Sequence, residues 1–201
     1  MLFRSGSVAG NASTGSFTLG GTSTALNTIG TISGTGVSVV KDGTGLWRMT
    51  AANTFGGSLT VRNGTLEVAN AGAIGSTVAL GSTQAGATGA AALLLVGGVT
   101  ASADYDVLSS AGTQAVLIGS GSGSVLFDSG EIRMGRGATL VAATGGVAEF
   151  RTSWSGSTTG TPATRNVTIG AAGYAGRVVL NTFGTLSTSG SVAVDYGTAV
   201  L

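Results

Sequence analysis

The sequence predicts an all-β chain of many short strands, and three observations predict it. Strand-sized runs that alternate large apolar with small or polar side chains recur roughly every 7 to 12 residues, a spacing typical of all-β chains. Glycine supplies 37 of the 201 residues, so turn-forming positions punctuate the chain throughout. Helical periodicity is sustained nowhere, and glycine recurs too often for a helix of three turns. Composition narrows the architecture. With 8% charged and 5% aromatic residues and a mean hydropathy of +0.44, the chain is too rich in Val, Leu and Ile runs for disorder. It is also too poor in large side chains for a wide globular core, whereas a solenoid core needs only one or two residues per strand.

In chain order, Ser7 to Gly15 is small and polar and reads as a loop or entry segment. Ser16 to Leu19, Ala25 to Ile32 and Val37 to Val40 are the first strands, separated by Gly20-Gly21 and Gly34-Thr35-Gly36. The stretch from Val37 to Ser76 is the most regular. Its apolar runs (Val37 to Val40, Leu46 to Met49, Leu59 to Val61, Leu66 to Val68) are parted by Lys41-Asp42-Gly43-Thr44-Gly45, Ala51 to Gly57 and Asn63-Gly64, residues suited to tight corners. Strands follow at Thr77 to Leu80, Leu93 to Val96, Val99 to Ala101, Asp106 to Leu108, Ala115 to Ile118, Val125 to Phe127, Glu131 to Met134, Thr139 to Ala142 and Val147 to Arg151. Ser153 to Thr164 breaks the rhythm, holds Pro162 and reads as a loop projecting from the body. Asn166 to Ile169, Arg177 to Leu180, Thr185 to Ser187 and Ser191 to Tyr196 resume the pattern.

A sandwich, a closed barrel and a β-helix all accommodate such strands. Asn63-Gly64 is the strongest hairpin signal and favours the sandwich. Most other connections are longer and irregular, which suits the corners of a solenoid with about 20 to 25 residues per coil.

One resemblance decides among them. Lys41-Asp42-Gly43-Thr44-Gly45, an aromatic-containing strand, Ala52-Asn53-Thr54-Phe55-Gly56-Gly57, Leu59-Thr60-Val61, Asn63-Gly64-Thr65-Leu66 and Asn70-Ala71-Gly72-Ala73-Ile74-Gly75 follow one another in order. Together they resemble the passenger-associated strand repeat of bacterial autotransporters. Phe55 stands where that family usually has Tyr, and Leu46 to Met49 replaces a plainer strand. The resemblance implies a right-handed parallel β-helix, exported across the outer membrane by a C-terminal β-barrel that no stretch of these residues matches. On this reading, residues 1–201 are a single β-helix segment, an internal fragment of a longer passenger, with the strand repeat at 37–76 and the projecting loop at 153–164. Residues 1–5 are expected to be a sequencing scar.

The residues also exclude functions. A net charge of +1, from Lys41 and eight scattered arginines against five aspartates and three glutamates, is no electrostatic footprint for nucleic acid. The absence of cysteine removes disulfides and thiolate metal sites and suits a chain that crosses a membrane unfolded. The absence of histidine removes Ser-His-Asp chemistry and His-ligated metals. The longest apolar run, Ala90 to Val96, is too short to span a bilayer.

Each remaining candidate has a plainer reading beside it. Asp128-Ser129-Gly130 is expected to be a turn after Val125 to Phe127 rather than a nucleophile segment. Asp104 and Asp106 share one face of a strand, but a calcium site of the polysaccharide-lyase type needs three or four converging carboxylates, so a solvated corner is expected. Glu131 and Glu149 could act as a glycosidase pair only if stacking aligned them. Glu131 with Arg133, and Glu149 with Arg151, are expected to be surface ion pairs. Gly119 to Ser124 lacks the lysine and helix of a phosphate loop and reads as a flexible corner. Trp47, Phe55, Trp154 and Tyr174 could form a sugar-stacking platform, with Trp154 exposed in its polar loop, or could fill corners of the solenoid.

The sequence thus predicts a structural or adhesive β-helical stalk of an exported bacterial surface protein, with no catalytic residues, cofactor or metal. Its partners are neighbouring coils of the same longer chain, together with host or environmental glycans or surface proteins. A carbohydrate-binding or polysaccharide-active β-helix and a trimeric phage tail-fibre solenoid are the alternatives.

Overall fold

Alternation in Leu59-Thr60-Val61 and in the run from Gly64 to Val68 turns every second side chain inward, and the chain closes each coil with one strand in each of two sheets. The computed structural model describes residues 4–9, 15–84, 88–108, 114–156, 165–181, 191–195 and 197–200. One sheet, sheet I, runs through Arg4–Ala9, Asn27–Gly34, Leu46–Met49, Gly64–Val68, Ala90–Val96, Ala115–Ser122, Ala138–Ala142, Val167–Ile169 and Val192–Val194. The other, sheet II, runs through Gly15–Leu19, Val37–Lys41, Leu59–Val61, Thr77–Leu80, Asp104–Val107, Val125–Met134, Val147–Gly156, Arg177–Leu180 and Thr198–Val200. Short strands at Thr54–Phe55 and Thr100–Ala101 pair beside these paths. Successive strands in each sheet are parallel partners, so the chain is a parallel β-helix. Its repeat varies, from nineteen residues between Leu46 and Thr65 to thirty between Val147 and Arg177.

In-register parallel pairing stacks like positions into columns. In sheet I, Trp47, Leu66, Leu93, Ile118, Leu140 and Ile169 lie one above another. In sheet II the corresponding column is Val39, Leu59, Val78, Tyr105, Ile132 and Trp154. All of these are buried and belong to one continuous core. Phe127 and Phe150 are register partners whose rings stack at 4.4 Å and 5°, and Tyr105 meets Phe127 edge-on at 5.6 Å.

The Asn63-Gly64 turn separates the sandwich from the solenoid. Leu59–Val61 belongs to sheet II and Gly64–Val68 to sheet I, and each pairs with the coils before and after it. The turn is therefore a coil corner and not a hairpin. Asn63 Oδ1 accepts the Gly64 N–H at 2.9 Å, and Gly64 sits at φ +73°. A Cβ at Gly64 would lie 2.3 Å from the Gly43 carbonyl oxygen of the preceding corner, so close coil stacking demands glycine there.

Several local expectations change. Ser7 to Ala9 is the end of a strand, not a loop, and Gly119 to Ser122 continues the strand Ala115–Ser122 instead of forming a corner. Asp128-Ser129-Gly130 is a bulge within Val125–Met134, with Ser129 at φ 59°, instead of a turn that ends a strand. The strand Val147–Gly156 extends through Ser153 to Gly156, because its partner Val125–Met134 offers edge hydrogen bonds as far as Met134. Residues 157–164 and 182–190 lie outside the described residues, and with them Pro162 and the strand expected at Thr185 to Ser187.

Candidate functional site

Within the stretch from Val37 to Ser76, polar side chains bind coil to coil. Asn53 Oδ1 accepts the Ile32 N–H at 2.6 Å from the coil before, and Asn53 Nδ2 donates to the Ala73 carbonyl at 2.7 Å in the coil after. Lys41 is stranger. It takes the core position that Val61, Leu80, Val107 and Met134 occupy in later coils, and it is fully buried. Its Nζ donates to the carbonyls of Asp42 (3.2 Å), Gly43 (2.7 Å) and Asn63 (2.9 Å), holding two successive corners together. Burial lowers its pKa from the ordinary 10.5 to about 8, against a smaller opposing effect of Asp42. A lysine poised near neutrality is a candidate nucleophile, but this one is enclosed by backbone carbonyls, with no open face for a substrate.

The same corner recurs further along the chain. The Arg136 guanidinium donates to the carbonyls of Leu108 (2.7 Å), Gln114 (2.9 Å) and Ser82 (3.2 Å). Gln114 Oε1 accepts the Ser82 N–H at 2.8 Å, and its Nε2 donates to the Arg62 carbonyl. Long polar side chains thus close corners where the backbone turns away from its sheet partners.

The acidic residues converge more than their sequence spacing suggests. Asp104 and Asp106 point from one strand of sheet II at Arg133 on the next, at 3.1 Å and 2.5 Å, and Glu131 joins them at 3.2 Å. Asp104 Oδ1 also accepts the Glu131 N–H at 3.0 Å. The expected solvated corner is instead a half-buried cluster on the outer sheet face, because the bulge at Ser129 aligns Arg133 with Asp106. The Asp106 hydrogen bond, supported by those of Asp104 and Glu131, holds the Arg133 guanidinium above its usual pKa. A guanidinium so held cannot act as the base of a lyase, and its partners present their oxygens to it instead of to a cation. Among the described residues no group of three or more His, Cys, Asp or Glu is placed to hold a metal ion.

Glu149 pairs with Arg151 at 2.8 Å, as the sequence predicts, and also accepts from Asn181 Nδ2 at 2.5 Å. Register sets Glu149 opposite Leu126 and Glu131 opposite Ser153, so the two glutamates are not aligned as a pair. Sequence reasoning missed Arg48 with Glu67, register partners on neighbouring coils at 2.6 Å, although both are outward positions of adjacent strands.

The aromatic residues form no platform. Trp154, expected to be exposed, is buried in the sheet II core column and packs on Phe150 at 6.4 Å. Parity along the strand carried the signal, since Ala148, Phe150, Thr152 and Trp154 all point inward. Trp47 is buried too, and its Nε1 donates to the Gly20 carbonyl at 2.8 Å. An open groove of about 760 Å³ runs past Phe17, Gly20, Thr24, Asn27 and Trp47, and no ionisable side chain lines it. It offers volume without the convergent polar groups of a catalytic cleft.

The family model described as passenger-associated-transport-repeat matches residues 39–68. No curated protein and no solved structure matches the chain. Among the described residues no helix is long and apolar enough to cross a membrane. The matched segment spans the Lys41 and Asn53 clasps and the Asn63-Gly64 corner, and the family implies an exported bacterial protein. The chain is thus a parallel β-solenoid that carries a passenger-associated-transport repeat and fits an autotransporter passenger repeat protein.

Proposed function

We propose that this chain is one segment of a longer passenger and serves as a structural or adhesive stalk on the bacterial cell surface, without catalysis. The observation that carries the reading is the use to which its polar residues are put. Lys41, Asn53, Gln114 and Arg136 bind backbone at coil corners, and the acidic cluster binds Arg133. Such a body extends by adding coils, and any adhesive contact with glycans or surface proteins belongs to its outer faces. A phage tail-fibre trimer interlaces chains, whereas here one chain supplies the successive partners within both sheets.

The test is display. The chain is placed between an export signal and an outer-membrane β-barrel in a Gram-negative host, with an epitope tag in the passenger. Surface labelling and digestion by external protease support the stalk reading. Retention of a folded chain in the periplasm, beside a control passenger that reaches the surface, overturns it.

A further inference from the structure

The outer face of sheet I carries an apolar cluster separate from the solenoid core. Ala92, Leu94 and Val141 are at most 5% exposed although they alternate with the inward residues of their strands. Register places them in two rows. Glu67, Leu94, Gly119 and Val141 form one, and Thr65, Ala92, Leu117 and Thr139 the other, with glycine between Leu94 and Val141. Apolar side chains on the outside of a sheet stay dry only if something covers them.

The cover comes from the chain's own next turn. After Val167–Ile169 the backbone leaves sheet I, and Ala171 bridges Tyr174 antiparallel, with the Tyr174 N–H donating to the Ala171 carbonyl at 2.9 Å. Gly173 at φ +86° makes this tight turn possible. Both feet of the excursion are pinned to one strand, the Gly170 N–H to the Leu140 carbonyl at 2.8 Å and the Gly176 N–H to the Ala142 carbonyl at 2.9 Å. Ala171 and Tyr174 pack against the outer cluster with Leu117 beside them. Burial raises the Tyr174 pKa, and the Glu67 carboxylate adds to the effect.

We infer that residues 170–176 form a strap that closes an apolar patch on the outer face of sheet I and opens without unfolding the solenoid. The turn between the two pinned feet adds no strand to either sheet, so lifting it leaves the strands paired and uncovers Ala92, Leu94 and Val141. Local openings of this kind cost less than global unfolding.

The experiment digests the full chain with chymotrypsin and follows cleavage after Tyr174 by mass spectrometry. When closing outpaces cleavage, the cutting rate reports the open population. Leu94→Ala trims the patch and leaves the strap sequence intact. It is expected to speed cleavage after Tyr174 about tenfold, the change that a loss of about 1.4 kcal/mol of closing free energy produces. Cleavage after Phe127 and Phe150 in the core is expected to stay slow. Leu117→Ala, at a partly open position, reads the same contact should Leu94→Ala lose its strands by circular dichroism. In parallel, Tyr174→Ala is expected to raise anilinonaphthalene sulfonate fluorescence severalfold with an unchanged far-ultraviolet spectrum. An unchanged rate at Tyr174 in the folded variants overturns the strap. So does equal acceleration at Phe127 and Phe150, or a Tyr174→Ala protein that binds no additional dye.

Discussion

Asn53→Ala is the sharpest probe of how the coils are held. The side chain accepts from the Ile32 N–H at 2.6 Å and donates to the Ala73 carbonyl at 2.7 Å, so one residue bonds the coil before and the coil after. Ile32 and Ala73 are both fully buried, so water reaches the abandoned backbone groups poorly. Each bond lost with its buried backbone partner left unsatisfied costs about 1 to 2 kcal/mol. The sum is a loss of about 2 to 4 kcal/mol. With a urea slope of about 2 kcal/mol per molar, the unfolding midpoint falls by about 1 to 2 M. Asn53→Asp keeps the acceptor for Ile32 but loses the donor, and it sets a carboxylate against the Ala73 carbonyl, so it should lose at least half as much. Trp47 and Trp154 allow the loss to be located, since they report on coils near to and far from residue 53. Nearest-neighbour stability predicts that Trp47 fluorescence shifts first. A midpoint change under about 0.25 M for Asn53→Ala, about 0.5 kcal/mol and the range of an ordinary surface substitution, would refute the clasp.

Three further outcomes follow from the same geometry. Lys41 has a folded-state pKa of about 8 against 10.5 when unfolded, so between these values the unfolded chain binds more protons and stability rises with pH. Urea midpoints at pH 7.5 and 9.5 should show this rise in the natural chain and not in Lys41→Met. Phe127→Ala removes the ring that stacks on Phe150 and meets Tyr105, and should cost about 3 to 5 kcal/mol in the same titration. Arg133→Ala leaves Asp104, Asp106 and Glu131 facing one another, but all four side chains are about a third exposed, so a loss of only about 1 kcal/mol is expected at low salt, shrinking in 1 M NaCl.

What could be read from the residues follows how local each signal is. Strand parity is local, and it already groups Lys41 with Val37 and Val39, and Trp154 with Phe150, although a lysine and a polar loop invite the opposite assignment. The apolar run Ala90 to Val96 is local too, and its lack of alternation matches a strand covered on both faces. The meeting of Arg133 with Asp106 is not local. It depends on a coil of 27 residues that includes the Ser129 bulge, and the next coil of the same sheet takes only 22 or 23.

By itself, then, the sequence determined an all-β chain with glycine corners, the repeat that matches passenger-associated strands and the absence of histidine and cysteine chemistry. These are carried by side-chain period, turn conformation and residue type, each set within a few positions. Only the tertiary structure decided which coils face each other, and so that Asn63-Gly64 is a corner, that the acids close on Arg133 and that Tyr174 covers an outer patch. The physical reason is that parallel stacking joins residues 19 to 30 positions apart, and this register is set by the lengths of corners and bulges, not by the residues that meet.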